Sequence, residues 1–203
     1  MTVSLENIGK KYQYHWVFRN LTHILNAPLH YGITGGNGSG KSTLLKMISG
    51  YITPSEGKIS WSIGDADISS QVFKHVGIAS PHLEIYDEFT LEEIIRFHHK
   101  FKPFIHGESS RSLVSLSGLT KSADKPLKYF SSGMKQRVKI LLALLFENPL
   151  VILDEPCSNL DEQAIAWYQK IVEDYATNRL LFIGSNSPDT ECRSCSEFIH
   201  LSV

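Results

Sequence analysis

The stretch from Gly35 to Thr43 reads GGNGSGKST and matches the pattern G-x-x-x-x-G-K-[ST] at every fixed position, with Gly35, Gly40, Lys41 and Ser42 as the fixed points. Glycines free the backbone to turn successive amides toward one concave side, and a helix starting near Lys41 adds its partial positive end to that nest. Such a surface suits polyphosphate. The pattern then assigns atoms. The backbone of Gly35, Asn37, Gly38, Ser39 and Gly40 lines the cradle, Lys41 reaches the β and γ phosphates as a point charge, Ser42 ligates Mg²⁺, and Thr43 offers a hydroxyl near the α phosphate. The alternative is a glycine-rich turn that merely caps a helix. The apolar segment Leu29 to Thr34 before the loop and LLKMI after it argue against that, because they supply the strand and the helix the motif needs.

A chain of 203 residues buries a substantial core and is expected to form one domain. Its 20 basic and 21 acidic side chains leave a net charge of -1, which gives no bulk attraction to nucleic acid or anionic lipid. The N-terminus, MTVSLENIGKKYQ, has no charged segment followed by an apolar core, and no apolar run approaches the ~20 residues of a membrane span. A soluble intracellular protein is therefore expected. Three cysteines suit a reducing compartment better than a disulfide framework, and the lone C-x-x-C of Cys192 and Cys195 reads as two small loop residues.

Val3 to Ile8 and Trp16 to Leu25 alternate enough to read as strands of an antiparallel layer, joined by the aromatic turn KKYQYHW. A ring in that turn suits stacking on a nucleobase; Tyr12 is the first choice, with Tyr14 and Trp16 as competitors. Strands follow at Gly57 to Ser62 and Val76 to Ala79. Thr90 opens a helix with a T-x-x-E capping box closed by Glu93, and His98 and His99 on that helix are expected to be solvated. Interruptions by KPF, HGESS and SGLTKSADKP predict a small helical lobe, about 86–145, inserted between strands. Ser131 or Ser132 caps a helix from about Met134 to Phe146. PLVILDEP is a short apolar run ending in two carboxylates, as in a central parallel strand with functional groups at its C-terminal end. Glu162 to Tyr175 and Leu180 to Ile183 complete a further helix and strand. The alternation makes the fold α/β.

In this order the motifs resemble those of the ATP-binding cassette (ABC) ATPases over nearly the whole chain. FSSGMKQR from Phe130 to Arg137 is similar to the family's signature LSGGQ and its basic sequel. VILDEP is similar to the Walker B strand, with Asp154 and Glu155, and SNLD from Ser158 to Asp161 to the D-loop. The resemblance implies a P-loop NTPase of ABC type, with a mainly parallel central sheet, an N-terminal antiparallel layer and a helical subdomain, using ATP and Mg²⁺. It also implies head-to-tail pairing with a second ABC ATPase domain, as homodimer or heterodimer, in which Ser131 and the Gly133 amide contact the γ phosphate in trans. Asp154 is then expected in the Mg²⁺ shell, and Glu155 is expected to accept a proton from, or orient, the attacking water.

Three motifs depart from the family at four positions. Ser132 and Met134 replace the usual Gly and Gln of the signature. His82 stands where the family's Q-loop glutamine touches Mg²⁺. Asn186, in LLFIGSNSP, stands where the switch histidine meets the γ phosphate. An asparagine still donates a hydrogen bond but carries no charge, so ATP binding is expected to be secure and hydrolysis slow. The implied function is the ATPase subunit of a membrane transporter, peripheral on the cytoplasmic face and partnered by transmembrane permease subunits. Two other readings are a non-transport ABC ATPase acting on nucleic acid or ribosomes, and a nucleotide-sensing module. The absence of heptads, a second cassette or a basic patch speaks against nucleic acid, and Glu155 speaks against the sensor.

Overall fold

The computed structural model describes residues 1–202. The alternating N-terminal runs form a long hairpin of β1 (Thr2–Tyr12) and β2 (His15–Asn26), antiparallel from Thr2 opposite Asn26 to Tyr12 opposite His15. Most of KKYQYHW is thus strand, and the turn is confined to Gln13 and Tyr14. Gln13 takes the left-handed φ of 53° that a tight hairpin turn requires. β3 (His30–Thr34) runs into the glycine loop and α1 (Lys41–Ile48). β4 (Glu56–Ile63) pairs with the free side of β1, and the short β5 (Ala66–Asp67) pairs with β4, giving one sheet in the order β2-β1-β4-β5.

β6 (Val76–Ala79) leads into a stretch of three α-helices, α2 (Leu91–His99), α3 (Ser110–Leu116) and α4 (Ser132–Leu144), with isolated antiparallel bridges at Thr90–Pro126 and Phe104–Phe146. β7 (Leu150–Asp154), α5 (Glu162–Tyr175), β8 (Leu180–Gly184), the single turn α6 (Pro188–Glu191) and β9 (Glu197–His200) follow. The second sheet, in the order β6-β7-β8-β3-β9, is parallel at every pairing.

Strand periodicity of two divides the core. Val151 and Leu153 of β7, with Leu181 and Ile183 of β8, face the cluster built from α2 to α5. Leu150, Ile152, Leu180 and Phe182 face α1 and the antiparallel sheet. Both faces of these strands are buried, which is why PLVIL and LLFI read as continuous apolar runs rather than alternating ones. The same parity carries Asp154, at the end of β7, to the side of α1.

The capping box of α2 forms as its sequence announces: Thr90 Oγ1 accepts from the Glu93 amide at 3.3 Å, while Glu93 Oε2 accepts from the Thr90 amide at 2.8 Å. Ser131 is the N-cap of α4. His98 corrects an expectation. It is half-buried, its ring lies edge-on to Phe146 at 4.6 Å, and burial pushes its pKa down to about 4. The apolar stripe of α2 is wide enough to take His98 with Phe97, whereas His99 stays exposed and stacks on Phe104 at 4.0 Å. α3, α6 and β9 carry weak sequence signals. α3 is capped by Ser109 and Ser112, a serine pair in place of the usual acidic partner, and β9 is four residues at a sheet edge.

Candidate active site

Lys41, Ser42 and Thr43 form the first turn of α1, so the loop before them is shaped by what that helix start demands. Gly40 is the N-cap at φ 99°, a left-handed conformation costly for other residues, and a Cβ there would stand 2.4 Å from Val17 Cγ1. Lys41 is buried, and its Nζ donates to the carbonyls of Gly35 at 2.9 Å and Gly36 at 3.1 Å. An ammonium has three donors, so one remains for a ligand. Ser39 is also buried, with Oγ unpartnered.

A cavity of about 480 Å³ opens over the loop, lined by Asn37, Gly38, Gly40 and Lys41 to Thr43, by Val17 of β2, and by Glu155 and Asn186. The structure thus brings the loop to residues far away in sequence. The chain from β7 arrives through Glu155, whose amide donates to Gly184 O of β8 at 2.8 Å and whose φ of 45° is left-handed. That conformation costs a non-glycine residue about 1–2 kcal/mol. The chain from β8 arrives through Asn186, whose Nδ2 donates to Glu155 Oε1 at 2.7 Å. Asn186 therefore points at the carboxylate, and Oε2 of Glu155 has no protein partner among the described residues.

Asp154 and His82 line a second cavity of about 200 Å³, with Lys46 and Ser49 from the later part of the α1 segment, and Ser42 is the one residue common to both cavities. Asp154 is 4% exposed; Ser80 Oγ stands 3.5 Å from its Oδ2, and its Oδ1 has no partner. Burial raises its pKa, opposed by a hydrogen bond from Ser42. A buried, incompletely satisfied carboxylate beside a hydroxyl is the hard-oxygen donor set a small divalent cation takes. Among the described residues no group of three or more His, Cys, Asp or Glu side chains is placed to hold a metal ion.

Three sequence-selected residues lie apart. Tyr12 is exposed at the hairpin end with Lys10 Nζ 5.4 Å from its ring centre, and neither it, Tyr14 nor Trp16 lines the cavity over the loop. Ser131 and Gly133 do not line it either. Ser131 is exposed, its Oγ accepting from the Met134 amide at 3.2 Å. Gly133 abuts the chain after β7: a Cβ on it would stand 2.6 Å from Asn159 O. Sequence reasoning missed Glu191, whose buried carboxylate lines a third cavity with Glu155 and Asn186; no local motif marks it.

A family model described as ABC transporter matches residues 18–158. The linearmycin resistance ATP-binding protein LnrL of Bacillus subtilis (strain 168) is 32% identical over 165 residues, which cover 78% of this chain and 52% of that protein. The chain thus spans about half the length of that relative. The cytochrome c biogenesis ATP-binding export protein CcmA of Agrobacterium fabrum is 30% identical over 184 residues, covering 86% of this chain and 84% of that one. A solved ATP binding subunit of an ABC transporter shares the fold with a TM-score of 0.85 at 27% identity, over 100% of this chain and 88% of the other. No helix among the described residues is long and apolar enough to cross a membrane.

Proposed function

The chain belongs to the ABC transporter family, and from that premise we propose that it is the ATP-binding and ATP-hydrolysing subunit of a membrane transporter, working as a head-to-tail pair on transmembrane permease subunits at the cytoplasmic face. The observation that carries the reading is the convergence of Lys41, Ser42, Glu155 and Asn186 on one cavity. Loop amides and the remaining donor of Lys41 hold the polyphosphate. Asp154, Ser42 and His82 would hold Mg²⁺, which when bound neutralises charge on the β and γ phosphates. Glu155 keeps Oε2 available to accept from the attacking water, while Asn186 fixes Oε1 and so orients the carboxylate.

Ser131 and Gly133 sit away from the chain's own phosphate cavity, which supports their serving the site of a second copy, where the N-terminus of α4 favours an anion. Tyr12 is the residue we assign to the nucleobase, on the same hairpin that delivers Val17 to the cavity wall.

The test is Lys41→Ala. Losing one charge-assisted contact of ~1.5–3 kcal/mol is expected to weaken ATP binding by about one to two decades while the fold persists. Calorimetric titration giving unchanged affinity in a folded variant refutes the assignment.

A further inference from the structure

Glu191 is a buried carboxylate that the reaction as described leaves idle. It is 5% exposed, and it forms no ion pair with any cation among the described residues. Burying a carboxylate without a counter-ion is unfavourable unless its oxygens are well supplied with donors. Here each oxygen takes a donor from a different loop. Oε1 accepts from the Cys157 amide at 2.9 Å, two residues beyond Glu155. Oε2 accepts from Ser185 Oγ, the residue before Asn186, and Ser185 Oγ in turn accepts from the Ser187 amide at 2.9 Å. The turn that carries Glu191 is itself anchored on α5: Tyr168 Oη donates to Glu191 O at 2.8 Å, and Gln169 Nε2 donates to Thr190 O at 3.0 Å. A rigid helix thus sets the place of a carboxylate from which both loops take their register.

We propose that Glu191 is a positioning residue for hydrolysis: its two carboxylate oxygens tie the loop after β7 to the loop after β8 and thereby hold Glu155 and Asn186 in register. The inference rests on the hydrolytic reading of Glu155 given above. Glu191 is absent from the lining of the cavity over the glycine loop, so its effect is expected on orientation and not on affinity.

The experiment measures steady-state ATP turnover, with the membrane partner where the chain alone is silent, together with ATP affinity and thermal unfolding, for Glu191→Ala, Glu191→Gln, Ser185→Ala and Glu155→Gln. Glu191→Ala is expected to lower kcat by about 10- to 100-fold with ATP affinity within about threefold. Glu191→Gln keeps an acceptor for Cys157 and a polar group toward Ser185, so it is expected to recover most of the loss. Ser185→Ala severs one arm and is expected to fall between. Glu191→Ala combined with Asn186→Ala is expected to be no slower than the worse single variant, because both act through Glu155. Full kcat in Glu191→Ala or, should that variant not fold, in Ser185→Ala overturns the clamp. So does a loss of kcat matched by an equal loss of affinity, or an additive double variant. If Glu155→Gln turns over like wild type, the reading of Glu155 falls and the clamp falls with it; if Glu155→Gln is inactive while the Glu191 variants are unimpaired, only the clamp falls.

Discussion

Asp154 is nearly inaccessible, with Oδ1 unpartnered and Ser80 Oγ 3.5 Å from Oδ2, and burial raises its pKa above the usual carboxylate range against the opposing hydrogen bond from Ser42. A carboxyl raised in the folded state favours folding while protonated, and that benefit is lost as pH climbs through the folded-state value. At neutral pH the nucleotide-free protein therefore carries a penalty that Asp154→Asn removes. The variant is expected to melt higher than wild type at pH 7, with the gain shrinking at acid pH and with Mg²⁺-dependent ATP binding impaired. Scanning calorimetry at neutral and acid pH checks it. Asn186→Ala unties Oε1 of Glu155 and is expected to lower turnover by about 10-fold or more with ATP affinity unchanged; equal rates retire Asn186 from the site. Lys41 and Ser42 were singled out by the loop pattern, and Asp154, Glu155 and Asn186 by the resemblance; the structure puts Lys41, Ser42, Glu155 and Asn186 on one cavity and Asp154 on the next. Glu191 was singled out by neither, because its partners come from Cys157 and Ser185, on two other segments, and only the fold brings them together.

Elements were legible wherever a pattern and a cap coincide. α2 has both a stripe and a T-x-x-E box, and β7 and β8 are apolar runs of strand length. α3, with serines in place of the acidic cap, and β9, paired on one side only, were not. The degree of burial along a helix is equally hard to read, and His98 shows why: a polar residue joins the core of the helical lobe because Phe146, from beyond the end of α4, comes to meet it. With a folded-state pKa of about 4 against an ordinary 6.5, and with Lys102 nearby opposing its charge, His98 stays neutral while the unfolded chain takes up a proton. Stability is therefore present above pH 6.5 and lost as pH falls toward 4, by about 3 kcal/mol at the full extent. His98→Gln is expected to flatten the melting temperature against pH over that window; a slope identical to wild type contradicts the assignment. Lys135 and Lys139 of α4 bind the segment after β6 at two points, Asp87 at 2.8 Å and the carbonyls of Ser80 and Pro81 at 3.2 and 3.0 Å. The loop bearing His82 is thus fastened to the signature helix.

At the scale of the molecule, one chain presents a cavity over the glycine loop and, outside its lining, the capped start of α4. Glu155→Gln should let water attack only slowly while leaving every phosphate contact in place, so it is expected to accumulate an ATP-bound dimer visible by sedimentation with Mg-ATP. Monomer alone points to an obligatory partner chain, and monomer even with that partner refutes the role of Glu155. The two regions meet inside the chain where Gln136 Nε2 of α4 donates to Pro156 O at 3.1 Å and where Gly133 lies so close to Asn159 O that no side chain fits between them. The segment that begins at Glu155 therefore bears directly on the surface offered to a neighbouring copy. Across that contact, occupancy of one site is expected to reach the other, so that a dimer of two such chains works cooperatively. Its rate is expected to rise sigmoidally with ATP concentration, and a methyl wedged into the joint by Gly133→Ala is expected to leave it both slower and hyperbolic.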